Sequence, residues 1–226
     1  MISASDVRPQ TSDTQSIGIA GAGLLGRLLA WKLLQRGHQV TLFERGSRAA
    51  ELSAAKVAAS MLAPYSEVVS AERCVFDWGR MALAWWPQEL AALAEITGQH
   101  VDFGNKGSVV VAHKLDESSL NHFEQQLRGK VQDCDEFIER IDRRRLAELE
   151  PELAERYHGG LFLAEEAYLD NEALLISLET AISKLGGKWR EFSEVLSVDA
   201  GKIRLAFVSC TRAINYISPR APEIAM

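Results

Sequence analysis

The sequence lacks the marks of a nucleic-acid binder, a secreted scaffold or a membrane protein. Lysine and arginine number 25 against 31 acidic residues, a net charge of −6. No excess of basic charge is on hand to neutralise phosphates or to hold an anionic membrane surface. The three cysteines, Cys74, Cys134 and Cys210, are odd in number and none forms a CxxC pair. That argues against a disulfide framework or a zinc site, and they read as reduced thiols of a cytoplasmic protein. No apolar run approaches the ~20 residues of a membrane span. Residues 1–16 are polar, without the apolar centre of a signal peptide, and read as a tail. The histidines, His38, His100, His113, His122 and His158, are scattered with no pair at ligand spacing. No Ser-His-Asp or Cys-His arrangement follows from spacing. Trp85-Trp86 reads as packing, Arg143 to Arg145 as a solvated face, and Glu165-Glu166 as an exposed pair before a turn.

What remains is the balance of a globular protein, 47% apolar and 25% charged. The 226 residues allow one large domain or two small ones, long enough to bury a core without disulfides or metals. No internal repeat is visible. Residues 17–20 read as a short buried strand. A helix follows with Leu25, Leu28, Leu29 and Leu33 on one face, closed by Gly37-His38, and residues 39–44 form a second strand rich in β-formers. This is a strand–helix–strand unit of about 30 residues. A small-residue stretch spans 53–64. A helical region covers about 71–97, which Pro87 is expected to break in two. Strands are expected at 101–103 and 107–112, a helix at 116–128 and a strand at 137–141. Asp142 caps a short helix that stops before Pro151. Further strands read at 160–164, 188–192, 195–198 and 202–208, with a helix at 172–185 capped by Asp170 or Asn171. Asp199-Ala200-Gly201 is a turn, and residues 209–226 have no clear period.

The first strand runs into Gly21-Ala22-Gly23-Leu24-Leu25-Gly26. In such a loop Gly21 permits the tight turn, Gly23 lets a pyrophosphate approach the backbone, and Gly26 lets helix and strand pack closely. The helix N-terminus offers free N–H groups and a partial positive charge. Glu44 stands roughly 20 residues on, where a carboxylate accepts hydrogen bonds from ribose hydroxyls and would repel a 2′-phosphate. The loop alone does not separate FAD from NAD. The small-residue stretch 54–64, suited to backbone passing a flat ring or a pyrophosphate, favours FAD. An alanine-rich helix start is its other reading.

Together the loop, Glu44-Arg45 and Ala58-Ala59-Ser60-Met61-Leu62-Ala63-Pro64 resemble the FAD-dependent D-amino-acid oxidase superfamily, above all the glycine oxidases of thiamine biosynthesis. The likeness continues through Gly107 to Val111, Tyr168-Leu169-Asp170 and Glu194-Val195-Leu196, covering about residues 17–205. It implies an α/β fold: a Rossmann-like FAD-binding βαβ domain (16–100 and 165–208) with an incomplete α+β substrate domain on a mixed sheet (101–164). Residues 1–15 are expected to be a disordered tail and 209–226 an irregular end. The resemblance implies that Gly21, Gly23, Leu24, Leu25 and Gly26 lie at the pyrophosphate. It gives ribose to Glu44 with Arg45 beside it, the phosphates to Ala54 and Ala55, and the isoalloxazine to Ala59, Ser60 and Met61. Val195 meets the adenine through its main chain.

Two departures stand out. Where the family has glycine this chain has Ser60, which fits only with a negative φ or tolerated strain. Family members also continue well past this length, with a substrate-clamping arginine, a tyrosine and a final glycine-rich segment. Residues 209–226 match none of these, so a truncated or frame-shifted chain is expected and no catalytic residue is named. The implied function is FAD-dependent oxidation of the C–N bond of glycine or another small amino acid or amine, with oxygen or a quinone as acceptor, impaired by truncation. Homo-oligomerisation is left open. The competing readings are a non-catalytic FAD-binding fragment and an NAD-dependent dehydrogenase.

Overall fold

The computed structural model describes residues 14–131, 135–199, 202–205 and 223–224. Cys134, Cys210, the expected tail up to residue 13, residues 200–201 of the expected turn and most of the expected irregular end fall outside the described residues. Cys74 is a free thiol. By its internal contacts the chain divides into two compact units: residues 1–58, 92–101 and 171–226, and residues 59–91 and 102–170.

The first unit opens with β1 (Ser16–Ala20), α1 (Leu24–Gln35), β2 (Gln39–Phe43) and the short α2 (Ala54–Val57). In the second unit β3 (Met61–Leu62) and α3 (Pro64–Val68) lead into α4 (Arg73–Thr97), whose last turns belong to the first unit. Then come β4 (Phe103–Gly104), β5 (Ser108–Val111), α5 (Glu117–Lys130), β6 (Ile138–Asp142), α6 (Arg143–Leu149), α7 (Pro151–Arg156), β7 (Gly159–Leu163) and β8 (Ala167–Leu169). The chain returns to the first unit with α8 (Asn171–Lys184), β9 (Lys188–Arg190), β10 (Val195–Asp199), β11 (Lys202–Leu205) and β12 (Glu223–Ile224).

The first unit is built on a parallel sheet of order β12-β1-β2-β9, with β10 and β11 pairing as an antiparallel hairpin. Ile17, Gly18 and Ile19 of β1 are all buried, as a central parallel strand covered on both faces requires. Helix α8 buries Leu174, Leu175, Leu178, Ala181 and Ile182, one continuous helical stripe, and packs against α1. The buried face of α1 is not the expected leucine stripe. It is Arg27, Ala30, Trp31 and Leu34, and Leu25 is 80% exposed. The side of α1 that meets α8 carries the arginine together with Ala30, Trp31 and Leu34, while Leu28, Leu29 and Leu33 are half-buried.

The second unit has two antiparallel sheets, β3-β8-β4 and β5-β7-β6. A cluster of Tyr65, Val68, Phe76, Leu127, Val131, Ile138 and Leu163 joins α3, α4 and α5 to the larger of these sheets. This packing gathers residues 59–91 with 102–170 in the second unit. Tyr65 and Phe76 meet edge to face at 5.1 Å. Helix α4 also departs from expectation, because Pro87 lies inside one continuous helix of 25 residues. Proline removes a single backbone bond, whereas the buried series Trp86, Glu89, Leu93 and Thr97 keeps its spacing past it. Helix α7 and strand β8 went unforeseen. The first is a single proline-started piece, and the second has three residues, too few to show a period.

The Glu165-Glu166 pair is the larger correction. Glu166 is only 1% exposed. It accepts hydrogen bonds from Ser66 N at 2.7 Å, from Ser66 Oγ at 3.2 Å and from Ser108 Oγ. Glu165 accepts from the Tyr65 hydroxyl at 2.5 Å and pairs with Arg80 at 3.2 Å. The turn after β7 thus ties α3 to the start of β5, a long-range contact that local pattern does not encode. The arginine run is exposed at Arg143 and Arg144, with Arg143 Nε donating to Ala154 O at 2.8 Å and Arg145 pairing with Glu148 at 3.0 Å. Asp142 caps α6 as expected, its Oδ1 accepting from Arg145 N at 2.8 Å. Replacing Glu166 by alanine strands a buried amide and two hydroxyls and is expected to cost about 2–3 kcal/mol. Asp142→Ala should cost about 1 kcal/mol. Urea denaturation of both variants checks the ranking, and equal losses would remove the anchoring role of Glu166.

Candidate dinucleotide site

Strand β1 ends at Ala20 and the chain turns through Gly21, whose φ is +90° and whose N–H donates to Phe43 O at 2.8 Å. The other two glycines of the loop are needed for different reasons. A Cβ on Gly26 would lie 2.0 Å from Gly21 O, so close packing of loop and helix excludes any side chain. A Cβ on Gly23 would meet only Ser53 Oγ, at 3.5 Å. The protein itself does not fill the space beside Gly23, which leaves backbone open to a ligand. Gly23 is the N-cap of α1, no side chain caps the helix, and its first turn has no acidic residue. The free N–H groups and the positive end of the helix dipole are therefore available to an anion.

Glu44 bridges the loop and the turn after β2. Its Oε2 accepts from Ala22 N at 2.7 Å and its Oε1 from Gly46 N at 3.0 Å. Each oxygen keeps a lone pair, which suits a carboxylate that also receives ribose hydroxyls. A cavity of about 750 Å³ opens here, large enough for a nucleotide portion. Gly21, Gly23, Leu24, Leu25, Gly26, Glu44, Arg45, Ala54, Ala55 and Val195 all line it, so most of the residues singled out in the sequence come together. Ser53 and Glu194, inside stretches the sequence marked, line it too, as do Gly46, Ser47, Ala50 and Leu52, which carried no sequence signal. The residues present fit the adenosine and pyrophosphate of a dinucleotide.

Arg27 is the residue that sequence reasoning missed. Its side chain is 1% exposed, and Nε donates to Ala22 O at 2.8 Å, Nη1 to Leu175 O at 2.7 Å and Nη2 to Arg48 O at 2.5 Å. Glu179 lies 3.7 Å away, and the guanidinium sits 5.2 Å from the centre of the Trp189 ring. Burial pulls its pKa below the ordinary arginine value, and Glu179 and Glu44 pull it back. The signal was present, for Arg27, Ala30, Trp31 and Leu34 share one helical stripe. Arg48 covers Trp189 as well, at 5.4 Å, and grips Glu191 through its amide and Nε, both at 2.8 Å. Those hydrogen bonds hold the Glu191 carboxyl below the usual range.

Ala59, Ser60 and Met61 belong to the second unit. Ser60 has φ +65°, so strain is what the chain tolerates here, not a negative φ. Its carbonyl accepts from Leu169 N at 2.9 Å, which pins the peptide beside β8. Met61 pairs with Tyr168 across the strands, and the two are 58% and 48% exposed. The Tyr168 ring covers Gly104, and its hydroxyl donates to Asp102 at 3.0 Å.

A family described as DAO, FAD dependent oxidoreductase, matches residues 16–216, and the chain belongs to it. The NAD-dependent dehydrogenase considered from sequence is set aside by this membership. A Rhizobium etli protein named "Putative thiamine biosynthesis oxidoreductase ThiO" is 35% identical over 164 residues, 73% of this chain and 45% of that protein. The glycine oxidase of Geobacillus kaustophilus is 26% identical over 184 residues, 80% of this chain and 47% of that protein. Among solved structures, the glycine oxidase of Bacillus cereus superposes with a TM-score of 0.70 at 25% identity, covering 84% of this chain and 51% of that one. The chain thus spans about half the length of the relatives it matches. Among the described residues no helix is long and apolar enough to cross a membrane.

Two measurements probe the geometry. Gly26→Ala is expected to cost about 3 kcal/mol or more through the backbone clash, whereas Gly23→Ala should change the stability of the ligand-free protein by under about 1 kcal/mol. Thermal melts of both variants read the contrast. Ser60→Gly relieves a left-handed serine at some entropic cost and is expected to stabilise the protein by about 0.5–1 kcal/mol. An unchanged urea midpoint would count against strain at that peptide.

Proposed function

We propose that the chain binds FAD through its first unit and serves an enzyme that oxidises the C–N bond of glycine or another small amino acid or amine. The observation that carries this reading is the space beside Gly23, backed by free helix N–H groups and bordered by Glu44. In this reading the loop from Gly21 to Gly26, with Ala54 and Ala55, holds the pyrophosphate. Glu44 accepts from the ribose hydroxyls with Arg45 beside it, and the main chain at Val195 meets the adenine. Ala59, Ser60 and Met61 lie against the isoalloxazine. Residues 16–100 and 165–208 are assigned to the cofactor domain and 101–164 to part of the substrate domain.

FAD, when bound, would supply the hydride acceptor, with molecular oxygen or a quinone as the final electron acceptor. The chain's own contribution is to bind and orient. The α1 N-terminus offsets the pyrophosphate charge, and Arg27 keeps the Ala22 carbonyl, and so the loop, in place. The names of the relatives support a role in thiamine biosynthesis, and a cytoplasmic location is part of the same proposal. A homo-oligomer remains compatible with it.

The test is reconstitution with FAD. The protein is expected to take up flavin and show its blue absorption band. Gly23→Ala and Glu44→Ala should weaken FAD affinity by about tenfold or more while leaving the fold intact. Anaerobic glycine, sarcosine or D-alanine should bleach the bound flavin. Absence of flavin uptake would overturn the cofactor assignment. Uptake with no bleaching by any of the three amines would leave a non-catalytic FAD-binding module.

A further inference from the structure

The second unit holds a cavity of about 430 Å³ that shares no residue with the dinucleotide site. That volume lies within the range of small-molecule sites. Four nitrogen-bearing side chains reach it from three parts of the chain: His113 and Lys114 after β5, Arg140 from β6, and His158 before β7. Leu120 of α5 borders it with apolar surface, and β6 passes at Ile141, whose side chain packs away with Leu146 and Ala154. Strand β7 borders the cavity with bare backbone. A Cβ on Gly159 would lie 2.3 Å from Ile141 O, and one on Gly160 would lie 2.4 Å from Val110 O.

The charges around this space are unequal. Among the described residues Glu117 is the one carboxylate on the wall, 3.8 Å from the Arg140 guanidinium. Glu124 takes another edge of Arg140 at 3.0 Å, leaving further N–H groups of the fork for other partners. Lys114 and His158 have no hydrogen bond or ion pair among the described residues. His113 contacts the Tyr157 ring at 4.7 Å. A concave surface with several unengaged donors and a single carboxylate favours a ligand rich in acceptors. None of these residues has a part in holding FAD in the reading above.

We propose that this cavity is a second small-molecule site, taking a ligand that carries a phosphate or carboxylate oxyanion. Lys114, His158 and the free edge of Arg140 hold the oxyanion, and Leu120 borders the less polar part of the ligand.

The test uses protein saturated with FAD, so that the glycine loop cannot itself take up phosphate. Inorganic phosphate and succinate are titrated separately by calorimetry at low salt, and hydrogen exchange maps the protected amides. Saturable binding of at least one probe is expected, with Kd about 1 mM or tighter. Exchange should slow at residues 112–117 and 158–160. The Lys114→Gln/His158→Gln double variant should bind about tenfold more weakly or worse while keeping its flavin spectrum. A response to phosphate alone or to succinate alone identifies which oxyanion the site takes. Absence of saturable binding, equal binding by the variant, or protection confined to residues 21–26 would overturn the proposal. If the variant does not fold, the exchange map of the unsubstituted protein decides. If FAD does not bind, the same map on the apoprotein still separates the two cavities, so the two proposals fail independently.

Discussion

Arg27 is the point on which the first unit turns. A guanidinium removed from water is costly unless its donors are met, and here three of them reach backbone carbonyls on three segments. Ala22 belongs to the glycine loop, Arg48 to the turn after β2 and Leu175 to α8. Glu179 and the Trp189 ring surround the same charge. Removing any one partner would leave a buried charge or carbonyl exposed to apolar surroundings, so the segments are held as a set. The helix that presents its N-terminus to the cavity is therefore fixed in rotation by a cation, and the leucines on its other faces follow.

The second unit uses the inverse device. Glu166 is a buried carboxylate that accepts from one amide and two hydroxyls, joining the turn after β7 to α3 and to the start of β5. Arg27 in one unit and Glu166 in the other are thus buried charges satisfied mostly by neutral dipoles. Such groups add little net stability compared with an apolar core, but they penalise alternative packings severely. In the proposed reading the loop chemistry depends on that discrimination, because Glu44 bridges Ala22 N and Gly46 N only if the loop and the turn after β2 keep their distance.

Much of this was legible in the residues. Strand β1, the loop, α1 and β2 follow from glycine spacing and local period, and Asp142 caps α6 as its position before the helix implies. Local signals failed where they were outvoted. Pro87 carries a strong helix-breaking signal, yet the buried stripe of α4 runs through it. The leucines of α1 suggested one face and Arg27 set another. Paired glutamates read as exposed because their donors lie far away in sequence. Strand β8 is too short for any periodic signal, and its partners β3 and β4 are as short.

By itself the sequence determined a dinucleotide-type glycine loop at a helix start with an acidic residue beyond it, since these signals are local and chemically constrained, while the choice of FAD over NAD rested on the resemblance. Tertiary structure decided which glycine excludes side chains for the protein's own packing and which leaves space for a ligand. It decided that Ser60 adopts the left-handed conformation glycine would prefer, because the hydrogen bond from Leu169 to its carbonyl holds that peptide. It also decided which charges are buried. Burial depends on what arrives from elsewhere in the chain, and no window of sequence contains that information.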